Sequence, residues 1–301
     1  MYDALNVREI DLFMGNAIAN KVLFPKPEPT RPGLWSPHLI RLNTNETEGQ
    51  PILIIRHPKN HPEHPDHNPE WIIFFHENGS DAGSVFPRML QVARNAEISI
   101  LIVEYPGYGE WRSGRPCSAS INKAAKKAFN YLTKEEGVRV EDILLIGRSI
   151  GTAPAAALAK WVSKYKRRQV MGVILLAGFS SIKDIIWHYA SIASLIVTNF
   201  WDTKRALHHY ACKFPVIVLH GTADEVVPYS HAEKLTRNGK LFTLIRVSGL
   251  DHNGFNEDCT GEISRFVFET REARSGGCDG KHGILDCIPD IEKACIASRC
   301  V

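Results

Sequence analysis

A surplus of charge is the first thing this sequence lacks. Its 36 Lys and Arg against 33 Asp and Glu leave a formal net charge of +3 over 301 residues. That imbalance is too small to imply a nucleic-acid partner. The one basic run, Lys164-Tyr-Lys-Arg-Arg168, has no interleaved aromatics for base stacking and reads as a solvated helix end. Long apolar runs are also missing: no stretch reaches the roughly 18–20 residues that span a bilayer. Residues 185–201 come closest, but His188, Tyr189, Ser191, Ser194 and Asn199 interrupt them. Residues 1–20 carry Asp3, Glu9 and Asp11 and no apolar run typical of a secretion signal. The expectation is a soluble cytoplasmic protein whose membrane contact, where it has any, is peripheral. Its seven cysteines are then expected to be thiols. None precedes Cys117, so an acylated cysteine cluster at the N-terminus is not expected. Paired CxxC spacing is absent, and the four histidines of residues 57–69 alternate with prolines that hold the backbone apart, so no metal and no cofactor are expected.

What is present is an alternation of short β-rich runs with helical patterns, which predicts an α/β fold with a mostly parallel sheet and helices on both faces. The strand candidates are 38–42, 52–56, 71–76, 98–105, 143–147, 171–177, 216–220 and 242–247. Several are near-continuous Ile, Val and Leu, as strands buried on both faces require. The first two have no helix between them and read as an antiparallel hairpin at one edge. Residues 118–136 place Ile121, Ala125, Ala128, Phe129 and Leu132 on one helical stripe, with Ser118 or Ser120 as cap and Gly137 as terminator. Residues 150–166 read as an Ala-rich helix packed closely on the sheet. Residues 1–270 are taken as one domain, with a cap at about 179–213, and residues 271–301 as a Cys-containing tail.

The chemistry concentrates at Gly147-Arg148-Ser149-Ile150-Gly151, entered by a strand and left by a helix. A serine at such a turn is forced into a strained conformation that exposes its hydroxyl, and strand and helix pass too close for side chains two positions away. Serine needs a base, and the base needs an orienting acid. In this type of fold the chain order is serine, acid, histidine. Asp224, in the loop after strand 216–220, is the candidate acid; its neighbour Glu225 is expected to point elsewhere. His252, in the loop after the last strand, is the candidate base, and adjacent Asp251 is not taken as its orienting acid. The oxyanion of an acyl-transfer intermediate needs preorganised N–H donors. The backbone amides of Ile150 and Asn78 are the candidates, with Gly79 easing the turn at Asn78.

Four blocks in order carry a family resemblance: Phe75-His-Glu-Asn-Gly-Ser-Asp-Ala-Gly83, Glu104-Tyr-Pro-Gly-Tyr-Gly109, Gly147-Arg-Ser-Ile-Gly151 and His220-Gly-Thr-Ala-Asp-Glu-Val-Val-Pro228. With His252-Asn253, they resemble the bud-emergence-46-like group of α/β-hydrolases, which includes the alpha/beta-hydrolase-domain depalmitoylases and is often labelled serine peptidase-like. The resemblance implies an α/β-hydrolase fold of about eight strands with a small helical cap. It also implies Ser149, Asp224 and His252 as the triad, and ester or thioester hydrolysis on an acylated protein or a lipid-like or small ester. Glu77 departs from the family, standing where the pattern has glycine and bringing a charge near the oxyanion loop. The residues leave two competing readings open: a serine peptidase, and a non-catalytic scaffold on the same fold. Labelling by a fluorophosphonate separates the scaffold from the enzymes, because only an activated serine reacts.

Overall fold

The structure is a computed structural model, and it describes residues 23–42, 49–60, 63, 69–189, 201–209, 212–254, 261 and 263–268. The eight expected strands are all present: β1 (Leu39–Leu42), β2 (Gln50–Ile55), β3 (Trp71–Phe75), β4 (Ser99–Val103), β5 (Ile143–Arg148), β6 (Gly172–Leu176), β7 (Val216–Gly221) and β8 (Phe242–Val247). They form one sheet in the order β1-β2-β4-β3-β5-β6-β7-β8. β2 runs antiparallel to both β1 and β4, so the first two strands do make the expected edge hairpin. Every other pairing is parallel.

Strands β3 to β7 are apolar on both faces because both faces are covered. Ile73, Phe75, Leu145, Val173 and Val218 point into one core layer, and Ile72, Phe74, Ile146, Ile174 and Leu219 into the other. The first layer is closed by α2 (Ser118–Lys134), α3 (Thr152–Trp161), α5 (Thr203–Leu207) and α6 (Ser230–Thr236). The second is closed by α1 (Ala82–Asn95) and the helical residues 263–268. Each such apolar side chain taken fully out of water contributes about 1.5–3 kcal/mol, which is why the strand runs are so nearly continuous.

Local chemistry sets the helix ends, not always as expected. α2 is capped by Cys117, not by Ser118 or Ser120. The Cys117 Sγ accepts from the Ser120 backbone N–H at 3.4 Å, and the Ser120 hydroxyl accepts from the Cys117 N–H at 3.0 Å. Ser120 is therefore the third-residue partner of a reciprocal cap, a place three residues inside the helix that the residue type alone does not distinguish from the cap itself. The expected helix 150–166 is three pieces: a 3-10 turn Ser149–Gly151, then α3, then a wider π turn Val162–Lys166 ending at left-handed Arg167. The run 164–168 at its end is exposed. α1, which the sequence pattern leaves unassigned, is begun by Asp81, whose carboxylate accepts from Ser84 N–H at 2.8 Å. The same carboxylate ties down Thr30 through its N–H at 2.6 Å and its hydroxyl at 2.7 Å.

In the stretch proposed as a cap, α4 (Ile182–Tyr189) is helical, as the apolar spacing suggests. Ile182, Ile185 and Ile186 pack inward on the first core layer, while Trp187 is exposed. Ile192, Leu195 and Ile196, and the cysteine-containing tail, lie outside the described residues. No helix among the described residues is long and apolar enough to cross a membrane, and no group of metal-ligating side chains is found among them.

Candidate active site

Four loops at the carboxyl ends of β3, β5, β7 and β8 meet at one place, where open α/β sheets build their sites. The loop after β5 is the sharpest. Ser149 has φ +50°, a left-handed conformation that costs a non-glycine residue on the order of 1–3 kcal/mol. The flanking glycines make it possible. A Cβ on Gly147 would lie 2.3 Å from the carbonyl oxygen of Gly151, and one on Gly151 would lie 2.2 Å from that of Phe75. Strand, turn and helix are in backbone contact, with Ser149 at the apex and only 8% exposed. The Thr152 hydroxyl donates to the Ser149 carbonyl at 2.6 Å and ties down the first turn.

Ser149, His252 and Asp224, 103 and 28 residues apart along the chain, come together. Nδ1 of His252 is 2.8 Å from Oδ2 of Asp224, and its Nε2 is 3.1 Å from Oγ of Ser149. A carboxylate only accepts, so the ring proton sits on Nδ1 and Nε2 is left to accept from the serine hydroxyl. Burial pushes the Asp224 carboxyl up, but hydrogen bonds from His220, His252 and the Val227 N–H outweigh it and hold the group well below the usual carboxylate range. Its second oxygen, Oδ1, accepts from Val226 N–H at 3.0 Å and Val227 N–H at 2.7 Å. Glu225 is exposed, and Asp251 spends Oδ1 on the N–H groups of Asn253 and Gly254 at 2.9 and 2.6 Å.

In the sequence His220 reads only as the end of a strand, which gives no sign of its role. It is fully buried, and its Nε2 faces the Val227 carbonyl at 2.7 Å and Asp224 Oδ2 at 3.3 Å. Both partners are acceptors, so the proton lies on Nε2 and is shared between them. Asp224 thus has two imidazoles on one oxygen and two amides on the other.

The loop after β3 carries His76 to Ser80. His76 is fully buried, stacks on Tyr105 with ring centroids 3.9 Å apart, and has both ring nitrogens engaged. Nδ1 meets the Glu77 carbonyl at 2.8 Å and Nε2 meets Glu104 Oε1 at 3.2 Å. Burial opposes protonation of His76, yet the Glu104 carboxylate and the Glu77 carbonyl raise its pKa overall, as two acceptors around one ring require. The Glu77 carbonyl also accepts from Ser80 N–H at 3.3 Å. In a planar trans peptide the following N–H points opposite to that carbonyl, so the Asn78 amide is aimed away from His76. Asn78, His252, Asn253, Arg88 and Arg148 line one polar cavity of about 370 Å³. Gly79, which eases the turn at Asn78, does so without a positive φ.

Glu77 is not a loose charge. Its Oε1 is bound by the Arg148 guanidinium and by the Ser80 hydroxyl at 2.8 Å, with Arg88 at 3.5 Å. Burial pushes the Glu77 carboxyl up, and the two guanidinium groups beside it bring it below its ordinary value.

No protein-family model matches the chain. Among curated proteins it is 27% identical over 221 residues to L404 of Acanthamoeba polyphaga mimivirus, named as an alpha/beta hydrolase, covering 73% of this chain and 78% of that one. It is 31% identical over 172 residues to the protein bem46 of Schizosaccharomyces pombe, covering 55% of this chain and 54% of the yeast protein. To alpha/beta hydrolase domain-containing protein 17B of Homo sapiens it is 27% identical over 192 residues, 60% of each chain. The match therefore spans little more than half the length of the yeast and human relatives. Among solved structures, an alpha-beta hydrolase from Vibrio vulnificus superposes with a TM-score of 0.63 at 17% identity, over 89% of this chain and 95% of that one. Est1E from Butyrivibrio proteoclasticus with bound ferulic acid gives a TM-score of 0.59 at 17% identity, over 77% and 99%. The chain has the α/β-hydrolase fold, and its curated relatives are the bem46-like α/β-hydrolase-domain proteins.

Proposed function

We propose that this protein is a serine hydrolase that cleaves an ester or thioester by two-step acyl transfer. In the first step His252 takes the Ser149 hydroxyl proton through Nε2 as Oγ attacks the substrate carbonyl carbon. The tetrahedral oxyanion is held by the Ile150 and Asn78 amides, and His252 returns the proton to the departing alcohol or thiol. Water, deprotonated by the same imidazole, then attacks the acyl-enzyme and releases the acid. Asp224 keeps the imidazole in the tautomer that accepts from serine and stabilises the imidazolium that forms. The observation that carries this proposal is the unbroken line from Asp224 Oδ2 through His252 to Ser149 Oγ, at 2.8 and 3.1 Å. The strained elbow at Ser149 supports it.

For the substrate we propose an acylated cysteine of a protein or a lipid-like ester, met at the cytoplasmic face of a membrane through peripheral contact. The support is the resemblance of the sequence blocks to the alpha/beta-hydrolase-domain depalmitoylases and the exposed Trp187 on α4, at 56% of its full accessibility. The test is in two parts. A fluorophosphonate probe should label the protein, and Ser149→Ala should abolish labelling and lower turnover by about 10⁶-fold; retained turnover in that variant rejects the assignment. Among p-nitrophenyl esters from acetyl to palmitoyl, rates should rise with chain length, and a flat series rejects the long-chain substrate.

A further inference from the structure

The catalytic proposal leaves one charged group unused, and it lies between the loops that carry the reacting groups. Arg148 immediately precedes Ser149 on the elbow and is 6% exposed. One arm of its guanidinium, Nη1, binds Glu77 Oε1 in the loop after β3. The other arm, Nη2, donates to the backbone carbonyl of His252 at 3.3 Å in the loop after β8. One side chain thereby joins the loop that bears the nucleophile, the loop that bears the Asn78 amide and the loop that bears the base. Glu77 is the counterpart that makes this possible. Its carboxylate orients the guanidinium and is itself held by the Ser80 hydroxyl at 2.8 Å and Arg88 at 3.5 Å. Its backbone carbonyl is fixed separately by His76 Nδ1 at 2.8 Å.

We infer that Glu77 and Arg148 are positioning residues: their ion pair braces the oxyanion loop, the nucleophile elbow and the histidine loop into one reactive geometry. The physical case is one of leverage. The three loops come from strands that are not all neighbours: β3 lies beside β5, but β8 lies two strands beyond β6. Sheet hydrogen bonds fix where each loop starts and not where its tip rests. His252 is held at its ring by Asp224, which leaves its main chain to be set by contacts such as that from Arg148. A misplacement of about 1 Å in such a constellation costs about 100-fold in rate. A glycine at position 77 would offer no side chain for such a brace. The brace rests on the Ser149 reading above.

Stability alone does not reveal the role, because removing one partner of a buried pair strands the other charge. The experiment therefore uses Glu77→Gln, Arg148→Gln and the double variant. It measures the second-order rate of fluorophosphonate labelling of Ser149 against pH, together with the melting temperature. Each single variant should label about 100-fold more slowly. The double variant, which leaves only the half-buried Arg88 without its carboxylate, should melt closer to the wild-type temperature than either single variant and still label about 100-fold more slowly. The pH midpoint of labelling should move down in Glu77→Gln, which removes an anion from the cavity, and up in Arg148→Gln, which removes a cation. A merely structural pair would restore rate and melting temperature together in the double variant. That result, or wild-type labelling in Glu77→Gln, overturns the proposal. Should Arg148→Gln fail to fold, Glu77→Gln and the double variant still decide. A wild-type protein that does not label at all rejects the Ser149 reading and this one with it, an outcome distinct from a labelled but unbraced enzyme.

Discussion

Replacing Gly151 by Ala is the most informative single perturbation of the elbow, because the damage is set by backbone atoms that cannot swing away. The added Cβ would sit 2.2 Å from the Phe75 carbonyl oxygen and 2.7 Å from that of His76, where ordinary contact begins near 3.4 Å. Relief requires α3 to retreat by about 1 Å from the end of β3, or the loop that starts at His76 to retreat from α3. Either movement separates the Ile150 amide from the Asn78 amide, and a displacement of that size costs about 100-fold in rate. Overpacking adds a loss of roughly 1–3 kcal/mol in stability, which at about 2–4 °C per kcal/mol lowers the melting temperature by several degrees. Fluorophosphonate labelling kinetics and a thermal melt read the two effects. Gly261→Ala, where an added Cβ meets nothing within 4 Å, is the control and should change neither for the worse. A Gly151→Ala protein that melts and labels like wild type would show that strand and helix have room to spare, and the steric account of the elbow would be wrong.

Three further outcomes are expected. Asp224→Asn should lower kcat about 10⁴-fold near neutral pH with little change in KM, because an amide no longer obliges the His252 proton to sit on Nδ1; a loss under tenfold in steady-state assays would contradict the orientation at 2.8 Å. Cys117→Ser should stabilise the protein by about 0.5–1 kcal/mol and Cys117→Ala should not, since a hydroxyl caps α2 better than the thiol now accepting at 3.4 Å; chemical denaturation midpoints decide. His231, whose Nδ1 meets the Ser180 hydroxyl at 2.9 Å, is pushed down to about 4 by burial and by nearby Lys234. The unfolded chain then binds the extra proton first, so stability is full above about 6.5 and is lost as pH falls toward 4. Urea midpoints at pH 7 and 4.5 should differ in wild type and differ less in His231→Gln, and equal losses would exclude His231 as the cause.

The eight strands were legible because burial on both faces leaves no choice of residue type: runs such as Trp71-Ile-Ile-Phe-Phe75 and Ile143-Leu-Leu-Ile146 have little else to be. The elbow was legible because the constraint is local, five residues deep. α1 was not. Its length carries Pro87 and its first turn carries Gly83, and what begins it is a carboxylate at Asp81 held from 51 residues away by Thr30. The cap on α2 was misassigned for a related reason. Cysteine seldom serves as a cap, and only the reciprocal bond to Ser120 discloses it. His220 and Arg148 were hidden in plain view within quoted motifs, because their roles are contacts across the sheet and not patterns along the chain. Glu77 is visible in the sequence as a charge near the oxyanion loop, but the guanidinium groups that meet that charge are not. A lone carboxylate beside an oxyanion hole opposes the reaction, while one whose charge is met by two guanidinium groups does not.

That difference bears on how a site of this kind tolerates change. In the parallel sheet, the positions of loop origins follow from strand order and register, both written redundantly in apolar residues. The loop tips have no such redundancy. Their geometry depends on a few polar contacts, each removable by one substitution: Asp224 to His252, His76 to the Glu77 carbonyl, Arg148 to Glu77 and to the His252 carbonyl. A glycine at position 77 would leave the oxyanion loop held by backbone contacts and would leave the buried Arg148 without its carboxylate. Keeping a buried guanidinium beside the nucleophile therefore demands a nearby carboxylate, and the carboxylate in turn demands a second cation to spare the oxyanion its repulsion, a demand that Arg88 meets at 3.5 Å. Residues 77, 88 and 148 then form one electrostatic unit, in which a change at one member alters the charge balance felt by the other two.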